Sequence, residues 1–391
     1  VTSAVSSTSR QEDMRLDSDA LLSNPETQII VCCGSGGVGK TTTAAALGLR
    51  AAENGRNVCV LTIDPARRLA QSMGLIELDN IPRPVNGVDA SSGGSLDAMM
   101  LDMKRTFDEV VEAHASREKA QQILSNPFYQ ALSSSFAGTQ EYMAMEKLGQ
   151  LYAQDGPGSG DGARWDLIIV DTPPSRSALD FLDAPERLSA LLDGRFIRLL
   201  LAPARGPARM FSAGLGVVTS TLNKVLGAQV LTDVQTFIAA FDTLFGGFRQ
   251  RAEATFSLLQ GPSTSFIVLA SPETDPMREA SYFVERLNSE RMPLSGLVVN
   301  RVSEPVANSV SRADAESVSE RLDGGVDDEQ IASDLLAVHA RQWRVYERER
   351  RIIKRFAAAH PSVARTCIPA MPNDVHDLDG LRDIGALLTA D

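Results

Sequence analysis

Seven short apolar runs recur along the chain, at 28–33, 57–63, 96–101, 165–170, 265–270, 293–299 and 364–368. They are continuous rather than alternating, the pattern of strands covered on both faces. Longer stretches with helical spacing separate them. One runs from 41 to 54 and is closed by Gly55, another spans 278–290, and a long one spans 330–360 and stops before Pro361. The acidic segment 374–391 reads as the last helix. This β-α alternation predicts an α/β fold with a doubly wound, mainly parallel sheet and right-handed crossovers. Ligands of such sheets bind at the carboxyl ends of the strands.

Two segments fit the alternation poorly. The first, 106–154, is largely helical and ends in a glycine-rich loop at 156–162. The second, 186–260, is apolar and punctuated by glycine, with Leu199, Phe211, Phe237, Phe241 and Phe245 among its residues. Together, as 104–160 and 186–262, they predict an inserted helical subdomain. Its apolar residues either pack on one another or form a surface for a partner or an apolar client. Residues 1–26 are rich in Ser, Thr, Asp and Glu and read as a disordered leader ahead of one main domain, 27–391.

With 391 residues, 43% of them hydrophobic, the chain is long enough for one large core with an insertion. Its net charge of −12 disfavours a nucleic-acid partner held by charge. No apolar run approaches the ~20 residues of a membrane-spanning helix. The expectation is a cytoplasmic protein, with any membrane contact made through a partner. Cys32, Cys33, Cys59 and Cys367 lack metal-ligand spacing and read as structural thiols.

The chemistry concentrates behind the first strand. Gly34-Ser35-Gly36-Gly37-Val38-Gly39-Lys40-Thr41 follows the apolar run and opens a helix, which is the context a phosphate-binding P-loop requires. The glycines allow a tight loop whose N–H groups face phosphate oxygens, and the helix N-terminus adds partial positive charge. The backbone of Gly36, Gly37, Val38 and Gly39 would cradle ATP. Lys40 would reach its β- and γ-phosphates, Thr41 would ligate Mg²⁺, and Thr42 would touch the α-phosphate. Asp171 ends the run 165–170, where a carboxylate can hold the Mg²⁺ shell through water. Asp64 ends the run 57–63, placed to orient the attacking water. Both acids also stand where a helix N-cap is the alternative reading.

With these three segments the chain resembles the arsenite-pump ATPase family, over about residues 27–388. That family includes the ATPase that targets tail-anchored membrane proteins, and belongs to the dimeric, deviant Walker A branch of P-loop NTPases. The loop GSGGVGKTTT is similar to the family's G-K-G-G-V-G-K-T-T, Leu61–Leu69 to its switch I, S-T-D-P-A-H-N-L, and Asp171–Leu179 to its switch II, D-T-A-P-T-G-H-T-L. The chain looks most like actinobacterial anion-transporting ATPases encoded as adjacent pairs. The resemblance implies that Asp64 positions the hydrolytic water and that Asp171 lies near magnesium. It also implies that Asn300 reads adenine through its amide and that Pro369 starts the loop packing on the base.

The departures are as informative. The family's second P-loop lysine, which reaches the partner's phosphates across the dimer, is Ser35 here. Arg67 and Arg68 replace the switch I His and Asn, and Arg176 and Ser177 replace the switch II Gly and His. Either an arginine of this chain supplies the missing charge, or the active unit is a heterodimer with a paralogous ATPase subunit, or the chain binds nucleotide and regulates a partner. The family's metalloid-binding cysteines and C-x-x-C zinc motif have no counterpart. The function implied is a Mg-ATP-dependent homo- or heterodimeric ATPase that drives transport of an anion or small solute with a membrane transporter. The alternative is an ATP-gated chaperone or targeting factor that holds apolar segments.

Overall fold

The computed structural model describes residues 14–63, 68–75, 77–127, 129–130, 139–160, 162–173, 247, 250–305 and 309–389. Each apolar run becomes a strand: β1 (Ile29–Gly34), β2 (Asn57–Thr62), β4 (Ser95–Met100), β5 (Leu167–Asp171), β6 (Thr264–Ala270), β7 (Leu294–Val302) and β8 (Arg365–Pro369). The eighth, β3 (Arg83–Pro84), is a two-residue edge strand antiparallel to β4. Proline and brevity suit an edge, where a strand must not recruit another chain. The order is β3-β4-β2-β5-β1-β6-β7-β8, and every other pairing is parallel.

The continuous apolar runs are explained by two cores, one on each face of the sheet. In β1, Ile29, Val31 and Cys33 enter one core, while Ile30 and Cys32 enter the other. The second core is closed by α2 (Lys40–Glu53), through Ala44–Leu47, Leu49, Ala51 and Ala52, and by α10 (Leu378–Thr389). Small alanine side chains bring α2 close to the sheet, and this fixes where its N-terminus meets β1. The first core is covered by α4 (Met103–His114), α5 (Arg117–Leu124), α6 (Thr139–Gln154), α7 (Thr274–Ser289) and the long α9 (Asp327–Ala359). α7 begins a turn earlier than its apolar spacing suggests. Pro276 lies in that first turn, where an N–H has no helical partner to lose. α8 (Arg312–Leu322), which the pattern did not predict, lies against α9 and buries only Ala315.

Of the stretch read as leader, residues 14–26 are described and are packed, which corrects that boundary. Arg15 bridges to β8, α1 (Ser18–Ser23) is capped by Asp17, and Leu16 and Leu22 are buried. Two polar contacts outweigh the poor composition. Arg50 binds Asp19 through two hydrogen bonds of 2.8 Å. Arg56 donates to the carbonyls of Leu22 (3.0 Å), Asn24 (3.1 Å) and Thr27 (2.9 Å), and pairs with Asp166 at the foot of β5. Arg56→Ala strands these acceptors at a partly buried junction. It should cost about 2–3 kcal/mol in denaturant unfolding, with nucleotide binding unchanged. The helices α4–α6 of the expected helical subdomain share the sheet's own core. The remainder, 186–262, lies largely outside the described residues. Among the described residues no helix is long and apolar enough to cross a membrane.

Candidate nucleotide site

The P-loop runs from the end of β1 to the start of α2, at the carboxyl edge of the sheet's centre. Its sharp course depends on glycine at two points. At Gly34 a Cβ would overlap the carbonyl oxygen of Leu269 on β6, so only glycine lets β1 and β6 stay paired this far. At Gly39, the N-cap of α2, φ is +93° and a Cβ would overlap the Asn300 amide. A side chain there is both strained and blocked.

Lys40 is buried, and its Nζ donates to the Ser35 carbonyl at 2.9 Å, inside the loop it follows. Gly39 O accepts from Thr43 N at 2.9 Å. Among the described residues Ser35 Oγ, which is buried, has no hydrogen-bond partner. Such an orphan is uncommon away from a functional site.

Asp171, at the tip of β5, is fully buried. Its Oδ2 accepts from Thr41 Oγ1 at 2.7 Å and from Thr62 Oγ1 at 2.8 Å. Sheet order explains the meeting: β5 lies between β1, which delivers the P-loop, and β2, which ends at Thr62. Thr62 was missed by sequence reasoning, although its place two residues before Asp64 was available as a signal. The donor set is one carboxylate and two hydroxyls beside a helix N-terminus. Among the described residues no three His, Cys, Asp or Glu side chains cluster as a closed metal cage. That set suits Mg²⁺, which keeps waters and phosphate oxygens in its shell, better than a metal held by protein alone.

Asn300 lies near the end of β7, buried against the loop. Its Nδ2 donates to Val38 O at 2.9 Å, and its Oδ1 accepts from Arg301 N at 3.0 Å. Among the described residues, one N–H and one acceptor lone pair of the amide make no hydrogen bond. Pro369 pairs with Val302 in the neighbouring strand, on the same edge. So Gly36–Thr42, Asp171, Asn300 and Pro369 gather at one edge of the sheet. Asp64, Arg67, Arg176 and Ser177 lie outside the described residues, as does the side chain of Arg68.

The cysteines have no part in this site. Cys32, Cys33 and Cys59 are buried and Cys367 is exposed. Burial pushes the Cys33 thiol up to about 12. It also raises Cys32, with the Asp171 carboxylate raising it further, and Cys59, beside Asp97. All three stay protonated through neutral pH, and a thiol is a poor nucleophile and metal ligand. Iodoacetamide at pH 8 should therefore label Cys367 alone in the native chain, with the other three reacting only after denaturation, as mass spectrometry of labelled peptides would show.

A family model described as anion-transporting ATPase matches residues 27–323. Among similar proteins is an "ATPase ASNA1 homolog" of Cryptosporidium parvum, 27% identical over 286 residues, covering 73% of this chain and 68% of that one. The "ATPase ASNA1 homolog 2" of Paramecium tetraurelia is 25% identical over 303 residues, covering 73% and 79%. An "ATPase get3" of Schizosaccharomyces pombe is 24% identical over 286 residues, covering 72% and 75%.

Proposed function

The chain belongs to the anion-transporting ATPase family, and from that premise we propose that it is a Mg²⁺-dependent dimeric ATPase driving movement of an anion or small solute by a membrane partner. The observation that carries the reading is the Asp171 carboxylate bound to the hydroxyls of both Thr41 and Thr62. It joins the helix that follows the P-loop to the strand that leads to Asp64. A change at the phosphates is thereby linked to the segment that follows.

Gly36, Gly37, Val38 and Gly39 bind the phosphates through backbone N–H groups. Lys40 turns from the Ser35 carbonyl to the β- and γ-phosphates, where its charge counters the charge that develops on phosphoryl transfer. Thr41 and Asp171 hold Mg²⁺, which when bound neutralises the phosphate oxygens. Asp64 orients the attacking water, and Asn300 and Pro369 frame the base. Ser35 cannot supply a cation to a partner subunit, so the charge comes from an arginine of this chain or from a paralogous subunit that keeps the lysine.

A second reading rests on the Leu- and Phe-rich stretch 196–248. In it ATP gates the holding of an apolar segment, whose burial would yield roughly 25 cal/mol per Å². Steady-state turnover measured with added oxyanions, and separately with an apolar helical peptide in detergent, distinguishes the two. Stimulation by oxyanions alone supports solute transport, and stimulation by the peptide alone replaces it with client binding. Stimulation by neither removes the basis for coupling in this chain.

A further inference from the structure

Consecutive residues of a strand point to opposite faces, yet Asn300 and Arg301 both reach the P-loop. Asn300 Nδ2 donates to Val38 O at 2.9 Å, and Arg301 Nη1 donates to Gly37 O at 3.1 Å. The strand achieves this by bulging. Val299 pairs with Cys367 and Val302 with Pro369, so β7 advances three residues while β8 advances two. At the bulge Arg301 takes φ +62°, the left-handed region that a non-glycine residue avoids. The Asn300 side chain closes the bulge by accepting the Arg301 N–H.

Resting on the nucleotide-binding reading above, we infer that Arg301 is a positioning residue of the phosphate loop, and that β7 is bulged in order to deliver it. A peptide plane sets the N–H of one residue opposite the carbonyl of the residue before it. Holding Gly37 O turns the Val38 N–H away from β7, and holding Val38 O does the same for the Gly39 N–H. The pair Asn300–Arg301 thus aims two successive donors into the concave side of the loop before any phosphate arrives. Donors oriented in advance need no reorganisation on binding. Among the described residues no carboxylate forms an ion pair with Arg301, so its charge stays on the rim of the cradle. Strain retained beside a binding loop is the pattern of a functional constraint. A buried cap serving only stability would not need an exposed guanidinium in a disfavoured backbone conformation.

Arg301→Gly separates the two roles, because it removes the side chain and also relieves the positive φ. The full chain is compared with the wild type, first without nucleotide. Amide hydrogen exchange in the segment 34–42 should quicken about fivefold or more, while the denaturation midpoint stays level or rises. ADP titrated by calorimetry should then bind about tenfold more weakly, with Arg301→Lys between the two. Unchanged exchange across 34–42 would overturn the inference. So would a fall in midpoint with exchange rising throughout the sheet, since that marks a merely structural role. If the wild type itself failed to bind ADP, the nucleotide reading would fall, and the nucleotide-free exchange result would still decide the loop's support.

Discussion

Asp171→Asn should lower ATP turnover about 100-fold, on the order of 2.7 kcal/mol of transition-state stabilisation. The replacement keeps the shape of the side chain and removes its charge. In the native chain the buried carboxylate gathers Thr41 Oγ1 and Thr62 Oγ1 on one oxygen. An asparagine can accept through its carbonyl oxygen, but its NH₂ presents hydrogens where the second carboxylate oxygen lay. Electrostatic support for Mg²⁺ is lost while the fold keeps most of its contacts. The turnover deficit should therefore come with weaker Mg²⁺ binding, read as a higher midpoint in a Mg²⁺ titration at saturating ATP. ADP affinity in EDTA should stay within about twofold of the wild type. If turnover fell while the Mg²⁺ midpoint stayed put, Asp171 would be serving the fold, in the N-cap role its position also allows.

Lys40→Ala should have the larger effect, about a thousandfold on turnover. Lys40 is buried with its ammonium held on the Ser35 carbonyl. Burying a charge carries a desolvation cost. Removing the side chain relieves that cost and deletes the hydrogen bond to the Ser35 carbonyl. The change in unfolding free energy should thus stay within about 1–2 kcal/mol. A severe loss of activity with little loss of stability, measured on one preparation by turnover and denaturant titration, is the expected signature. Loss of both together would make Lys40 a structural lysine.

The sheet was legible because parallel strands buried on both faces must be apolar throughout, so each left a run in the sequence. The P-loop was legible because a tight loop against β6 and Asn300 admits little but glycine at Gly34 and Gly39. Elements held by polar contacts were not legible. α1 is built from Ser, Asp and Ala with two leucines, and its polar anchors Arg50 and Arg56 are distant in sequence. β3 is two exposed residues, and α8 buries a single alanine, so neither leaves an apolar period. α9 starts three residues earlier than its apolar pattern because Asp327, Asp328 and Glu329 favour a helix N-terminus. Thr62 and Arg301 escaped for another reason. What each does depends on neighbours in other strands, and for Arg301 on a bulge whose register is set by β8.

These residues bear on how the chain manages without a lysine at position 35. Arg301 places a cation on the rim of the loop, and among the described residues the buried Ser35 hydroxyl has no hydrogen-bond partner. The most direct test of the account is the initial rate of Mg-ATP hydrolysis by the purified chain, with Lys40→Ala as the blank under identical conditions. The account predicts turnover above that blank, abolished by EDTA, by the chain alone or with a paralogous subunit added. Turnover indistinguishable from the Lys40→Ala chain in both cases would contradict it.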